Sequence, residues 1–351
     1  MGTRLAGLSD LEIGDLIRSV PRPQRGWGKS GAIKLGLFDV FAKRIPITEI
    51  ELANVDSTKN HFGLPPFYSY GFGSVGFGVW REITAAKKAS DWALASECSN
   101  FPLMYHYRTL RLEGDALPLD ADKHARYVNF WNNDQCIGGF IEERTRATHE
   151  VVIFLEYFPK TLVYELPDKL GNLAHIVKQM SGVTDFIRSK ELVHFDCHHF
   201  NVVTDDSDCY LTDFGLASCH DFELSVAERE FLERHTYYDK ATFIARAASY
   251  LTERYRASPD SLRRGILDLL GTVEPESNLK LRALLLDNLE ELVASGLMHL
   301  PAEYVAEMIK YREVVRLFTD FTRSMTITND KTARFDDERL RAAVLTAEKG
   351  G

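Results

Sequence analysis

The spacing of apolar residues changes along the chain, from short runs early to helical spacing late. Residues 26–47 read as a strand pair, with Gly36 and Asp39 suited to turn the chain between 32–35 and 40–47. Residues 54–78 are rich in Gly, Pro and aromatics and predict an ordered loop insertion. Residues 80–97 carry Ala, Lys and Glu and predict a helix. Segments 101–108 and 150–158 are strand-like, and the second holds the continuous apolar run 151–155. Within 172–189, Leu173, Ile176, Val177, Met180, Val183, Phe186 and Ile187 share one face of a predicted helix. Two short strands follow, around Val202 and at 210–211. From about residue 225 onward the pattern is helical almost throughout, and Pro301 suits the first residue of a helix. Strands first and helices later predict an α+β fold. No internal repeat or low-complexity segment interrupts this order.

Composition narrows the picture. The 351 residues are 45% hydrophobic, enough for one large two-lobed domain or two small ones. A formal net charge of -9 argues against a nucleic-acid partner, which needs a basic face to neutralise phosphates. No apolar run approaches the roughly 18 residues of a membrane span, so no membrane partner is expected. Asp10, Glu12 and Asp15 break any early secretory segment. The cysteines are Cys98, Cys136, Cys197, Cys209 and Cys219, an odd set with no CxxC, which suits reduced thiols in a cytoplasm. Cys197, His198, His199, Cys219 and His220 fit no common zinc spacing.

The chemistry concentrates in residues 194–215. Positions 194–201 read His-Phe-Asp-Cys-His-His-Phe-Asn, and Asp213-Phe214-Gly215 begins 12 residues after Asn201. Phosphoryl transfer from ATP asks few things of a protein. One carboxylate positions the acceptor hydroxyl and takes its proton, while an amide and a second carboxylate hold the metal that neutralises the phosphates. Asp196, Asn201 and Asp213 suit those roles in that order.

This arrangement resembles the catalytic loop and metal-binding motif of the protein kinase superfamily, HxDxxxxN followed by DFG. An amphipathic helix precedes the loop and a strand pair separates the two motifs, as in that family. The resemblance covers about residues 20–215. It implies a bilobal fold, with a small β-rich N-lobe over 1–158, a larger helical C-lobe over 159–351, and ATP and Mg2+ in the cleft. It also implies that His194, Asp196 and Asn201 form the catalytic loop and that Asn201 and Asp213 bind the metal. Glu156-Tyr157-Phe158-Pro159, after 151–155, resembles the kinase hinge, so Glu156 and Phe158 are expected at the adenine.

Two stretches match GxGxxG, Gly26-Trp27-Gly28-Lys29-Ser30-Gly31 and Gly71-Phe72-Gly73-Ser74-Val75-Gly76. The lysine decides between them. Val40-Phe41-Ala42-Lys43 resembles the kinase lysine strand and ends 12 residues after Gly31, a hairpin's length. After Gly76 the nearby lysines, Lys87 and Lys88, fall in a helical stretch. Gly26, Gly28 and Gly31 are therefore expected at the phosphates with Lys43. Glu82 is the expected ion-pair partner of Lys43, with Glu97 as competitor. Insertion 54–78 lengthens the Lys43–Glu82 separation beyond the family's.

Departures from the family bear on the substrate. Phe195 stands where regulated kinases have an Arg that pairs with a phosphorylated loop. With Asp221, Glu223, Glu228 and Glu230 following the DFG, the segment is expected to be ordered by packing over a buried Phe195, without phosphate on Ser218 or Ser225. His198 looks closer to aminoglycoside and choline kinases than to Ser/Thr kinases, and neither APE nor DxWxxG follows. A protein Ser/Thr acceptor is the first expectation. A small-molecule acceptor is the alternative, and a nucleotide-binding scaffold without activity is the third reading.

Overall fold

The computed structural model describes residues 1–18, 20, 29–112 and 120–349. The chain is α+β, 55% helix and 13% strand, with a small sheet region and a larger helical part. It divides into two units. The first holds Met1–Pro159, Ser189–Asp196 and Val203–Glu233; the second holds Lys160–Arg188, Cys197–Val202 and Arg234–Gly351. Residues 189–196 and 203–233, expected in the larger lobe, thus group with the sheet-bearing unit.

That unit is built on a four-stranded antiparallel sheet of β1 (Lys29–Leu35), β2 (Phe38–Ile47), β3 (Met104–Arg111) and β4 (His149–Glu156), in the order β1-β2-β4-β3. Strand period puts Val40 and Ala42 on one face and Lys43, Ile45 and Ile47 on the other. The first face packs with Ile33, Val152 and Phe154 under two amino-terminal helices, α1 (Gly2–Ala6) and α2 (Asp10–Ile17), through Leu5, Ile13 and Ile17. Ser9 and Glu12 start α2 with a reciprocal capping box. The second face packs Ile45, Ile47, Val151, Ile153 and Leu155 against Val79, Trp80 and Ile83 of α4 (Val79–Leu94), which follows α3 (Glu49–Ala53) and the insertion. Both faces of the sheet are covered, which explains the unbroken apolar run at 151–155.

Helices α5 (Ala121–Phe130) and α6 (Gln135–Thr145), for which the sequence pattern gave no expectation, join the insertion in an aromatic cluster. Tyr68, Phe77, Trp131 and Phe140 are its buried members, and the Tyr68 and Trp131 rings meet edge-on at 4.9 Å. The Tyr68 and Tyr127 hydroxyls are hydrogen-bonded, and Tyr127 Oη donates to the Gly73 carbonyl at 3.1 Å. The insertion is thus an ordered loop braced from two sides.

The second unit is helical. Leu173–Ser189 buries Leu173, Ile176, Val177, Met180, Val183 and Ile187 of the face foreseen from its spacing, while Phe186 is half-buried. Pro301 stands at the N-cap of Ala302–Lys310, one position before the one expected. Lys240 is buried between Asp185 and Glu348, at 2.8 Å from each. His199 is buried and its Nε2 donates to the Phe243 carbonyl at 3.2 Å. Burial pushes its pKa down to about 3, with the nearby His198 and Arg246 acting in the same sense. The folded state therefore refuses a proton that the unfolded chain accepts near pH 6.5. Stability from this site is complete above that pH and is lost as pH falls toward 3. Unfolding titrations should show a loss of up to about 1.4 kcal/mol per pH unit below pH 6 from this group. His199→Gln should flatten that limb, and an unchanged slope would contradict the assignment.

Candidate active site

Lys43 points from the inner face of β2 toward α4, whose Glu82 Oε1 lies 2.6 Å from its Nζ. Asp213 Oδ1 lies 2.8 Å from the same nitrogen. The three groups are separated in sequence by 39 and 170 residues from the lysine, so only the tertiary fold assembles them. Burial disfavours the Lys43 charge, but the Asp213 and Glu82 carboxylates outweigh it and hold the ammonium above its usual range. Burial pushes Glu82 up, with Lys43 opposing. Desolvation opposes ionisation of Asp213 too, yet Lys43 prevails and its carboxyl sits below the usual range.

Asp213 is held in the left-handed region, φ 62°, where its Oδ1 also accepts the Gly215 N–H at 3.3 Å. Its side chain stays 44% exposed, leaving carboxylate surface for a ligand. Among the described residues no group of three His, Cys, Asp or Glu stands close enough to hold a metal alone. One ionised, part-exposed carboxylate is what Mg2+ uses when phosphates supply further oxygens, so Asp213 fits that ion.

His194 joins the two motifs. It is fully buried, and the Asp196 N–H donates to its Nδ1 at 3.3 Å. A backbone amide can only donate, so the ring proton sits on Nε2 and is given to the Thr212 carbonyl at 3.0 Å. The neutral ring thereby ties the backbone of Asp196 to the residue before Asp213. Phe214 packs on His194 at 5.0 Å and on Phe101 at 6.1 Å. Phe195 is 1% exposed, as its apolar character led one to expect, and it meets Phe231 at 5.7 Å and Tyr70 at 6.5 Å.

The second glycine stretch lies against both motifs. A Cβ on Gly71 would fall 2.0 Å from Asp196 Oδ1, and one on Gly76 would fall 2.1 Å from the Gly215 carbonyl oxygen. A side chain at Gly71 would have to push the Asp196 carboxylate aside, while one at Gly76 would meet backbone, and Gly76 also has φ +82°.

Helix α4 is fixed to the segment after the DFG. Arg81, next to Glu82, pairs with Glu228 at 2.7 Å, with both side chains at most 6% exposed. Its Nε donates to the Thr58 carbonyl at 2.6 Å. Lys88 pairs with Asp221, while Glu223 accepts from Ser57 Oγ and the Thr58 N–H at 2.7 and 3.0 Å. Glu228 and Ser225 form a capping box that starts the helix Val226–Glu233. Glu51 accepts the Val79 N–H at 2.8 Å and receives the start of α4.

Other expected residues lie as follows. Gly31 sits in β1 opposite Ala42, one register step from the Ser30–Lys43 pair. Gly26 and Gly28 lie outside the described residues. Glu156 ends β4, its carboxylate accepting the Leu103 N–H at 3.2 Å, and Phe158 packs on Tyr210 at 4.4 Å. Asn201 is buried in the second unit, its N–H donating to the His198 carbonyl at 2.8 Å. Glu97 pairs with Lys190, which leaves Glu82 as the carboxylate of α4 on Lys43. Sequence reasoning missed Arg81 and Glu228 as parts of the site, and it weighed Gly71 only as a phosphate-loop glycine, not as a neighbour of Asp196. Glu228 had a local signal in the Ser225-x-x-Glu228 capping pattern, and Arg81 had none.

No known family model matches the chain, and a search of curated proteins also finds no match.

Proposed function

We propose that the protein is an ATP-dependent phosphotransferase of the protein-kinase-like class, with a bilobal fold of that type, acting on a hydroxyl acceptor. The carrying observation is the ion trio of Lys43 with Glu82 and Asp213, drawn from three separate parts of the chain. A permanently protonated lysine braced between two carboxylates is suited to contact the α- and β-phosphates. Glu82 aims it, and Asp213 keeps part of its carboxylate for the metal. Mg2+, when bound, neutralises developing charge on the phosphates.

Asp196 accepts the proton of the acceptor hydroxyl. The acceptor oxygen bonds to the γ-phosphorus, the bond from that phosphorus to the β–γ bridging oxygen breaks, and ADP leaves with the electron pair. His194 holds the Asp196 backbone through its Nδ1. The acceptor is either a protein Ser/Thr or a small alcohol, and the contact between Gly71 and Asp196 favours the latter.

Calorimetric titration tests the nucleotide half of this reading. The wild-type protein should bind ATP with a requirement for Mg2+, and Asp213→Asn should weaken that binding by about tenfold or more, because a hard divalent cation prefers a charged oxygen. Equal MgATP affinity in the two proteins would remove Asp213 from the metal site.

A further inference from the structure

We infer that the loop of residues 70–76 is the acceptor-side wall of the site, that Gly71 sets the position of the Asp196 carboxylate, and that the acceptor is a small, compact alcohol. This rests on the phosphotransferase reading above and adds the substrate class to it.

The wall touches the proposed base directly. The Gly71 backbone lies so close to Asp196 that a methyl group added to it would fall 2.0 Å from Oδ1 and 3.0 Å from Cγ. At the other end of the loop, Gly76 meets the Gly215 carbonyl with the same closeness. Both chemical motifs of this unit therefore share one wall, and that wall belongs to the insertion.

The loop is braced so that it cannot swing aside at low cost. The Tyr70 ring packs on both Phe195 and Phe231, at 6.5 and 5.3 Å. The Val75 N–H donates to Tyr68 Oη at 3.4 Å, and Tyr127 holds the Gly73 carbonyl at 3.1 Å. Tyr68 and Tyr127 are bonded to each other, and Tyr68 is fully buried in the aromatic cluster. Displacing the loop would break these bonds and unpack buried rings, the kind of cost that keeps a loop in one arrangement.

An extended polypeptide needs open surface on both sides of the reacting hydroxyl. Its backbone alone requires the roughly 4.8 Å spacing of a neighbouring strand, before side chains are counted. With one flank of Asp196 closed at van der Waals contact, that width is denied on the insertion side. A compact alcohol needs only the remaining face of the carboxylate. The energetic logic is positional: a base shifted by about 1 Å loses on the order of 100-fold in rate, so a glycine that fixes a carboxylate is part of the machinery without touching substrate.

The test combines variants with two acceptor panels. Transfer of label from γ-labelled ATP is measured to a degenerate Ser/Thr peptide mixture and to small alcohols, namely an aminoglycoside, choline and a hexose, with hydrolysis to water followed in parallel. Wild type should label a small alcohol in preference to any peptide. Gly71→Ala should keep MgATP affinity and melting temperature near wild type while transfer and hydrolysis fall by about 100-fold. The double variant Gly71→Ala/Asp196→Asn should be no slower than Asp196→Asn alone, since Gly71 acts through that carboxylate. Labelling of peptides faster than every small alcohol, labelling of neither panel, or additive losses in the double variant would overturn the inference. Absence of MgATP binding by wild type would instead remove the phosphotransferase reading, and the wall with it. Should Gly71→Ala melt early, Tyr70→Phe and Ser74→Ala, which alter the loop without crowding Asp196, supply the comparison: unchanged melting with a shifted acceptor KM and unchanged MgATP affinity supports the wall, and an unchanged acceptor KM in both opposes it.

Discussion

Asp196→Asn will cut turnover by about 100- to 10,000-fold and leave MgATP affinity unchanged, the loss associated with removing a positioned general base. The amide is nearly isosteric with the carboxylate, so the close contact with Gly71 survives. What it loses is the ability to take the acceptor proton. The Asp196 N–H bond to His194 Nδ1 involves only backbone on the Asp196 side and should persist, so the local structure stays in place. Nucleotide affinity is the discriminating readout. A drop in both affinity and rate would mean that Asp196 holds the nucleotide or its metal. Wild-type turnover in the variant would deny it any part in the chemistry.

Arg81→Leu should cost about 3–5 kcal/mol of stability, the range for breaking a buried ion pair by removing one partner. Glu228 would be left almost fully buried with its carboxylate deprived of the guanidinium. The same change removes the bond to the Thr58 carbonyl and the guanidinium packed over the Phe77 ring at 4.8 Å. Arg81 precedes Glu82, so loosening the start of α4 should also weaken the hold on Lys43. Denaturant titration reads the first effect, and MgATP affinity reads the second. The double variant Arg81→Leu/Glu228→Leu removes both charges and should recover much of the stability, because no unpaired charge is left inside. A single variant within 1 kcal/mol of wild type, a limit near that of an exposed pair, would show that this pair does not anchor the segment.

The same anchoring bears on regulation. Glu228 and Glu223 hold the segment after the DFG from within, Phe195 is buried where a phosphate-pairing arginine is expected, and Ser225 is already engaged as a helix cap. A phosphate on Ser225 would meet the Glu228 carboxylate, which now lies 2.7 Å from its hydroxyl. Phosphatase treatment should therefore leave the turnover rate unchanged.

Much of the sheet-bearing unit was legible because its signals are local. The β1–β2 hairpin, the apolar run of β4 and the helix carrying Glu82 follow from period and turn residues. The Lys43–Glu82 pair followed from spacing along a family pattern. The helices α1 and α2 were missed although Ser9-x-x-Glu12 is a capping signature, because α1 is one turn long and α2 only two. Helix α5 has no buried residue of its own, and α6 buries a short stripe of Ile137, Phe140 and Ile141, with Ile137 and Phe140 in the aromatic cluster of the insertion. The Arg81–Glu228 pair spans 147 residues, and the contact of Gly71 with Asp196 is a matter of backbone closeness. Neither leaves a pattern in the local sequence. The second glycine stretch matched a phosphate-loop motif, yet Gly71 and Gly76 have a different physical reason, the lack of space beside Asp196 and Gly215.

The central claim is tested most directly by following the terminal phosphoryl of labelled ATP into product, with cell extract as the acceptor pool, for wild type and for Lys43→Met. Wild type should transfer label in a Mg2+-dependent reaction, and Lys43→Met, which leaves Glu82 and Asp213 without their shared cation, should transfer at background. Equal labelling by the two proteins, or none by wild type, would contradict the account.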